Sequence, residues 1–167
     1  MKSGLEDVIA AETKLSDVDG AAGRLIIRGV SLDDLVATSR YEDVAALLLD
    51  GLFDEHIDAA LIRKQLGAAR VALFTHVEAA DAAVLALPPV DAVRALLARV
   101  ADGEDFATAL RLMAAPAVFL PAVLRLQKGE TPIKPDASLS QSADILHMLT
   151  GRAPTAEQTA GLDAYLV

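Results

Sequence analysis

Three histidines, His56, His76 and His147, are the chain's only imidazoles. Asp144 and His147 stand three residues apart and would share a helix face, half of a possible metal site. A metal needs three or four ligands, and no second cluster lies nearby in the sequence. A structural role is therefore expected for all three histidines. Asp17 and Asp19 could suggest a cation loop, but the other acidic positions and the terminal Glu of a calcium loop are missing. Turn capping by Asp side chains accounts for them better. The GAAGR stretch, Gly20 to Arg24, lacks the Lys-Ser/Thr of a phosphate loop and reads as a turn. Arg24 and Arg28 flank Leu25 and Ile27, as on a strand with one polar face, and anion binding by either stays open. Cysteine is absent, which excludes thiol chemistry, Cys-based metal sites and disulfides.

The elements that would position these residues are mostly helices. Hydrophobic residues make up 53% of the 167 and aromatics only 4%, so Ala, Leu and Val dominate, two of them strong helix formers. The length suits one domain. Val8 to Ala11 and Leu25 to Ile27 predict two short strands joined by a turn-rich loop, with Asp19-Gly20 as the turn signal. Ser31 with Asp34 resembles a capping box before a helix over Leu32 to Thr38. Ser39 with Glu42 predicts the cap of a helix over Arg40 to Asp50, with Gly51 in the left-handed position after it. Asp54 starts another helix, striped by Ile57, Leu61 and Leu66. Thr75 with Glu78 reads as a third capping box, opening a helix to about Ala86. Pro88-Pro89 stops that helix and starts the next, which runs to about Ala101 with Val93, Leu96, Leu97 and Val100 inward.

Phe106 to Gln127 predicts one long helical stretch, kinked or divided at Pro116 and Pro121. Its Phe106, Met113 and Phe119 read as core rather than as a cofactor pocket. Lys128-Gly129 closes it, and Glu130 to Ala137 is an extended linker. Ser138 with Gln141 predicts the cap of a helix over Leu139 to Leu149, ended by Gly151. Thr155 with Gln158 caps a last helix running to Val167, which carries no stop signal and is expected to continue.

The totals narrow function further. A net charge of −9 gives no electrostatic footprint for nucleic acid. The longest apolar run, Met113 to Leu124, falls short of the roughly 20 residues of a spanning helix, and the N-terminus reads as no secretory signal. A mean hydropathy of +0.39 points to helices buried all round, or to apolar surface meant for a second subunit or further chain.

Three ordered motifs carry a family resemblance. AAET-x-x-S-D-V-D-G…GRL-x-x-RG spans Ala10 to Gly29, S-x-x-E-D-V-A-x-L-L-L-x-G spans Ser39 to Gly51, and L-S-Q-S-A-D-I-L-x-M-L-T-G spans Leu139 to Gly151. Between Asp54 and Pro135 the match lies in helix layout more than in residues. The chain resembles the N-terminal part of a citrate synthase, nearest the bacterial citrate/2-methylcitrate synthase type. The resemblance implies an all-α fold, the large domain of this type of enzyme, with a short N-terminal β segment. Residues 1–167 would form one partial domain, with the small domain absent.

The resemblance also implies a cytoplasmic homodimer built through large-domain helices, or a partner in the missing C-terminal part. The complete enzyme condenses acetyl-CoA with oxaloacetate and hydrolyses the thioester to citrate and CoA, by acid–base and electrostatic catalysis. The family's oxaloacetate-binding His segment should begin just after Val167, with the other catalytic His and Asp further on. No catalytic, cofactor-binding or metal-ligating residue is therefore carried over, and the isolated chain is expected to be inactive. Acetyl-CoA would be a substrate of the complete enzyme, not a cofactor of this chain. The other readings are a 2-methylcitrate synthase using propionyl-CoA, a stand-alone helical scaffold or dimerisation protein, and half of a split enzyme.

Overall fold

A computed structural model describes residues 12–167. The expected strand over Val8 to Ala11 lies outside them. Strand β1 is instead Ser16–Asp19, within the stretch read as loop. It pairs antiparallel with β2, Arg24–Ile27, placing Asp17 opposite Ile26 and Asp19 opposite Arg24. Asp19 Oδ1 accepts the Ala22 N–H at 3.0 Å, the Asx-type turn capping expected of it. A third strand, β3, Val30–Ser31, pairs back on β2 through Arg28 and Gly29. Both turn residues have positive φ, 48° and 86°, as a two-residue type I′ hairpin requires.

Eight α-helices follow: α1 Leu32–Thr38, α2 Tyr41–Leu49, α3 Ala59–Leu73, α4 Ala82–Leu85, α5 Pro89–Leu97, α6 Phe106–Gln127, α7 Gln141–Thr150 and α8 Ala156–Leu166. The fold is all-α with a small β segment at the start of the described chain. Several boundaries move from the sequence expectation. Helix α3 starts at Ala59 rather than Asp54, because Asp58 is the N-cap and its Oδ1 accepts the Leu61 N–H at 2.8 Å. It then runs through Gly67 without a break. Thr75 does not cap a helix: its hydroxyl donates back to the Ala72 carbonyl, and Phe74–Ala79 forms a 3₁₀ helix. Helix α5 ends at Leu97, short of Ala101, with Pro89 at its first position as predicted.

Helix α6 is the axis of the molecule, continuous through Pro116 and Pro121. It packs on α3, α5 and α7. Ala114, Ala115, Val118, Phe119 and Val123 are essentially solvent-free and share one apolar cluster with Ile62, Leu66, Leu73, Ala92, Leu96 and Met148. With its flanking residues, α6 is long and apolar enough to cross a membrane, which the uncharged run alone is not. Its most apolar window is nonetheless 56% buried inside the fold, as a core helix would be. Phe106 stacks at a tilt on Phe53, with centroids 5.3 Å apart. Met113 is partly buried against the same cluster.

Candidate functional site

Helix α3 presents Ile62, Leu66, Arg70 and Leu73 on one buried side, spaced three and four residues apart. Arg70 is the exception in chemistry: a guanidinium with no solvent exposure. A buried cation is tolerated only when paired and fully hydrogen-bonded. Arg70 meets both conditions through α7 and the turn before it. Its Nε donates to Asp144 Oδ2 at 2.6 Å, Nη1 to Gln141 Oε1 at 2.7 Å and Nη2 to the Leu139 carbonyl at 2.8 Å. Asp144, equally buried, uses its other oxygen to accept the Asp136 N–H at 2.9 Å.

The network extends to α2 and α8. Glu42, 5% exposed, accepts the Gln141 N–H at 2.7 Å. Asp163 of α8 accepts the Ser142 hydroxyl at 2.6 Å. Burial first, and then the neighbouring Glu42 carboxylate, raise the Tyr41 phenol above its ordinary value of 10.0. The linker before α7 is drawn against α3 at Gly67. A Cβ there would run into the Ala137 carbonyl, so only glycine admits this approach. Arg63 holds the same stretch through the Ser138 carbonyl at 3.0 Å.

This seam changes two capping assignments. Ser39 with Glu42 does not form a box. Arg40 is the N-cap of α2, its N–H donating to Asp43 at 2.8 Å, because Glu42 is engaged by α7. Ser138 with Gln141 likewise does not cap α7. Ser140 does, accepting the Ala143 N–H at 3.3 Å, while the Gln141 amide serves Arg70. Arg70, Glu42 and Asp163 are the site residues missed by sequence reading. A charge on the Ile62–Leu66 stripe was the available signal for Arg70. Glu42 was hidden by its resemblance to a cap, and Asp163 by lying in a helix with little apolar patterning.

The sequence candidates fall in different places. Asp144 cannot act as half of a metal site with His147, because its bonds to Arg70 and to the Asp136 N–H occupy both of its oxygens. His147 is half-buried, near enough to help hold the Asp136 carboxyl below 3.8, an effect led by the Ser138 hydroxyl. His76 is half-buried with its ring 6.3 Å from Phe119. His56 is exposed and meets Asp50 at 3.2 Å. Among the described residues no group of three His, Asp or Glu side chains could hold a metal.

Arg24 is exposed on β2. Arg28 donates from Nη2 to the Leu48 and Asp50 carbonyls at 3.0 Å each, capping the end of α2. It also lines an open cleft of about 470 Å³ with Asp43 and Asp50. Asp50 is held below 3.8, first by the Ile57 N–H. What the buried network does chemically is positional: it locks α2, α3, α7 and α8 together through directional bonds.

The third motif, Leu139 to Gly151, supplies most of that seam. A sequence model described as "Citrate synthase, C-terminal domain" matches residues 4–167. A citrate synthase of Acidithiobacillus ferridurans is 32% identical over 179 aligned residues, covering 98% of this chain and 46% of that protein. The citrate/2-methylcitrate synthase of Bacillus subtilis strain 168 is 29% identical over 174, covering 98% and 47%. Among solved structures, the ternary complex of carboxymethyl coenzyme A and oxaloacetate with citrate synthase from the archaeon Thermoplasma acidophilum aligns with a TM-score of 0.74. It is 20% identical and covers 98% of this chain and 46% of that one, a likeness of fold. The chain spans about half the length of the curated relatives it matches. With the family's sequence model matched from residue 4 to the last residue, the chain belongs to the citrate synthase family.

Proposed function

We propose that this chain is the N-terminal part of the large domain of a citrate synthase-type acyltransferase. The complete protein would join the acetyl group of acetyl-CoA to oxaloacetate and hydrolyse the thioester with water, releasing citrate and CoA. The observation that carries this reading is the family match over residues 4–167, on a chain spanning just under half of its relatives. The order of the motifs supports the N-terminal placement. The buried seam gives the chain's part in the reaction: a rigid body on which later segments are mounted. The chain alone is inactive, and the complete enzyme works as a cytoplasmic homodimer.

The test joins sequence and assay. Reading the DNA past codon 167 should give a continuation bearing His and Asp. The purified complete product should release CoA thiol from acetyl-CoA only when oxaloacetate is present, and the isolated chain should release none. Thiol release above blank by the isolated chain, or a complete product inert with every acyl-CoA, would overturn the proposal. Offering acetyl-CoA and propionyl-CoA side by side decides between citrate and 2-methylcitrate synthesis, both of which occur among the relatives by name.

A second reading, a helical scaffold or half of a split enzyme that pairs with another chain, is favoured by exposed Val90 and Tyr165, 68% and 85% accessible. A monomer by light scattering, with no partner frame in the DNA, would remove it.

A further inference from the structure

The last helix is held to the body by an acid. Of the residues of α8 only Asp163 is buried, at 4% exposure. Leu162 and Leu166 are half-buried, and Tyr165 faces solvent. No continuous apolar stripe therefore fixes the rotation of α8 about its axis. Asp163 Oδ1 accepts the Ser142 hydroxyl from α7 at 2.6 Å and faces the N–H of Tyr41, the first residue of α2, at 3.4 Å. The positive end of the α2 dipole favours a carboxylate there. A buried carboxylate is tolerated only with such donors. Rolling α8 by one residue, about 100°, would take Asp163 away from both. One rotation of the helix satisfies the acid, and that rotation sets the heading of the chain at Val167.

We propose that Asp163, through Ser142 and the Tyr41 amide, is a positioning residue. It latches α8 and thereby places the segment that follows it, which on the citrate synthase reading carries the oxaloacetate-binding His. Only that catalytic consequence rests on the family reading; the latch itself does not.

Amide hydrogen exchange on this chain tests the latch. Asp163→Ala should speed exchange across Ala156–Leu166 by about tenfold and Ser142→Ala by about threefold, while α3 and α6 keep their rates. Leu162→Ala should loosen α8 less than either. The latch is overturned by unchanged α8 rates in Asp163→Ala, by a larger effect from Leu162→Ala, or by protection lost in α3 and α6 together with α8.

Kinetics on the complete product test the positioning. Ser142→Ala should raise KM for oxaloacetate by about tenfold and leave KM for acetyl-CoA unmoved. An active parent whose oxaloacetate KM does not move removes the positioning role. An inert parent removes the citrate synthase reading and with it the catalytic role of Asp163, and the exchange result still decides the latch.

Discussion

Helix α3 is joined to α6 and to α7 by opposite means. Toward α6 the contact is apolar: Ile62, Leu66 and Leu73 join Leu110, Val118 and Phe119 in one solvent-free cluster. Toward α7 it is a buried ion pair, in which Arg70 spans Asp144, Gln141 and the Leu139 carbonyl. Apolar burial is strong but non-directional, so it fixes that α3 and α6 touch without fixing how. A guanidinium fork is satisfied only by acceptors at set places, so it dictates register. The helix therefore gets cohesion from one side and alignment from the other.

The largest effect is expected from breaking the polar side. Arg70→Ala leaves the Asp144 carboxylate buried without its cation and should cost about 3–5 kcal/mol in urea unfolding. The double variant Arg70→Met with Asp144→Leu removes both charges but leaves Gln141 Oε1, the Leu139 carbonyl and the Asp136 N–H without these partners, so it should recover only part of the loss and stay about 1–3 kcal/mol below the parent. A double variant as unstable as the single one would show that the fork's geometry, rather than the unpaired charge, carries the loss.

On the apolar side, Leu66→Ala should cost about 3 kcal/mol, through lost burial and the cavity left behind. It should leave the docking of α7 intact, seen as unchanged hydrogen exchange in Gln141–Thr150. Loosening of α7 in this variant would mean the two sides are not separable.

Between the two sides lies Gly67, which gives up about 1 kcal/mol of helix propensity relative to Ala. Gly67→Ala pushes a methyl into the Ala137 carbonyl and should still destabilise, by about 1–3 kcal/mol. Thermal unfolding decides it: a raised midpoint would mean that the linker moves aside freely.

The smallest effect lies outside the seam, at carboxylates that cap helices in solvent. Asp81 and Asp105 sit below the ordinary 3.8, held first by the Val84 and Thr108 N–H groups. Their folded values are depressed, so the stability they add is present above 3.8 and is lost as pH falls through the lowered values. Acid titration of Asp81→Asn together with Asp105→Asn should show a shallower stability loss below 3.8 than the parent. An unchanged slope would place the acid sensitivity elsewhere.

The capping boxes show what could be read in advance. Thr155 with Gln158 forms the reciprocal box its spacing predicts, at 3.2 and 2.9 Å. Ser39 with Glu42 and Ser138 with Gln141 carry the same spacing and do not. In both, the side chain at the third position is taken by a partner far along the chain: the Gln141 N–H for Glu42, and Arg70 for Gln141. A cap is a weak local bond, and a buried charge or amide that needs a partner outcompetes it.

The left-handed glycines after α2, α6 and α7 were legible for the opposite reason. Gly51, Gly129 and Gly151 have φ of 76°, 74° and 72°, a demand of the local backbone alone. The candidate site was legible only in outline. The motif Leu139 to Gly151 marked the right stretch, while its role as the acceptor set for Arg70 was not visible from it.

From its sequence alone, this protein's helical class, the glycine stops at Gly51, Gly129 and Gly151, the Pro89 start of α5 and its family resemblance were determined. Each depends on residues within a few positions of one another, or on ordered motifs. The tertiary structure decided which polar side chains leave their local partners. Arg70 and Asp144 are separated by 74 positions, and Glu42 and Gln141 by 99. Only when the apolar faces of α3 and α6 have excluded water does leaving such groups unpaired become costly, and that cost selects the pairing.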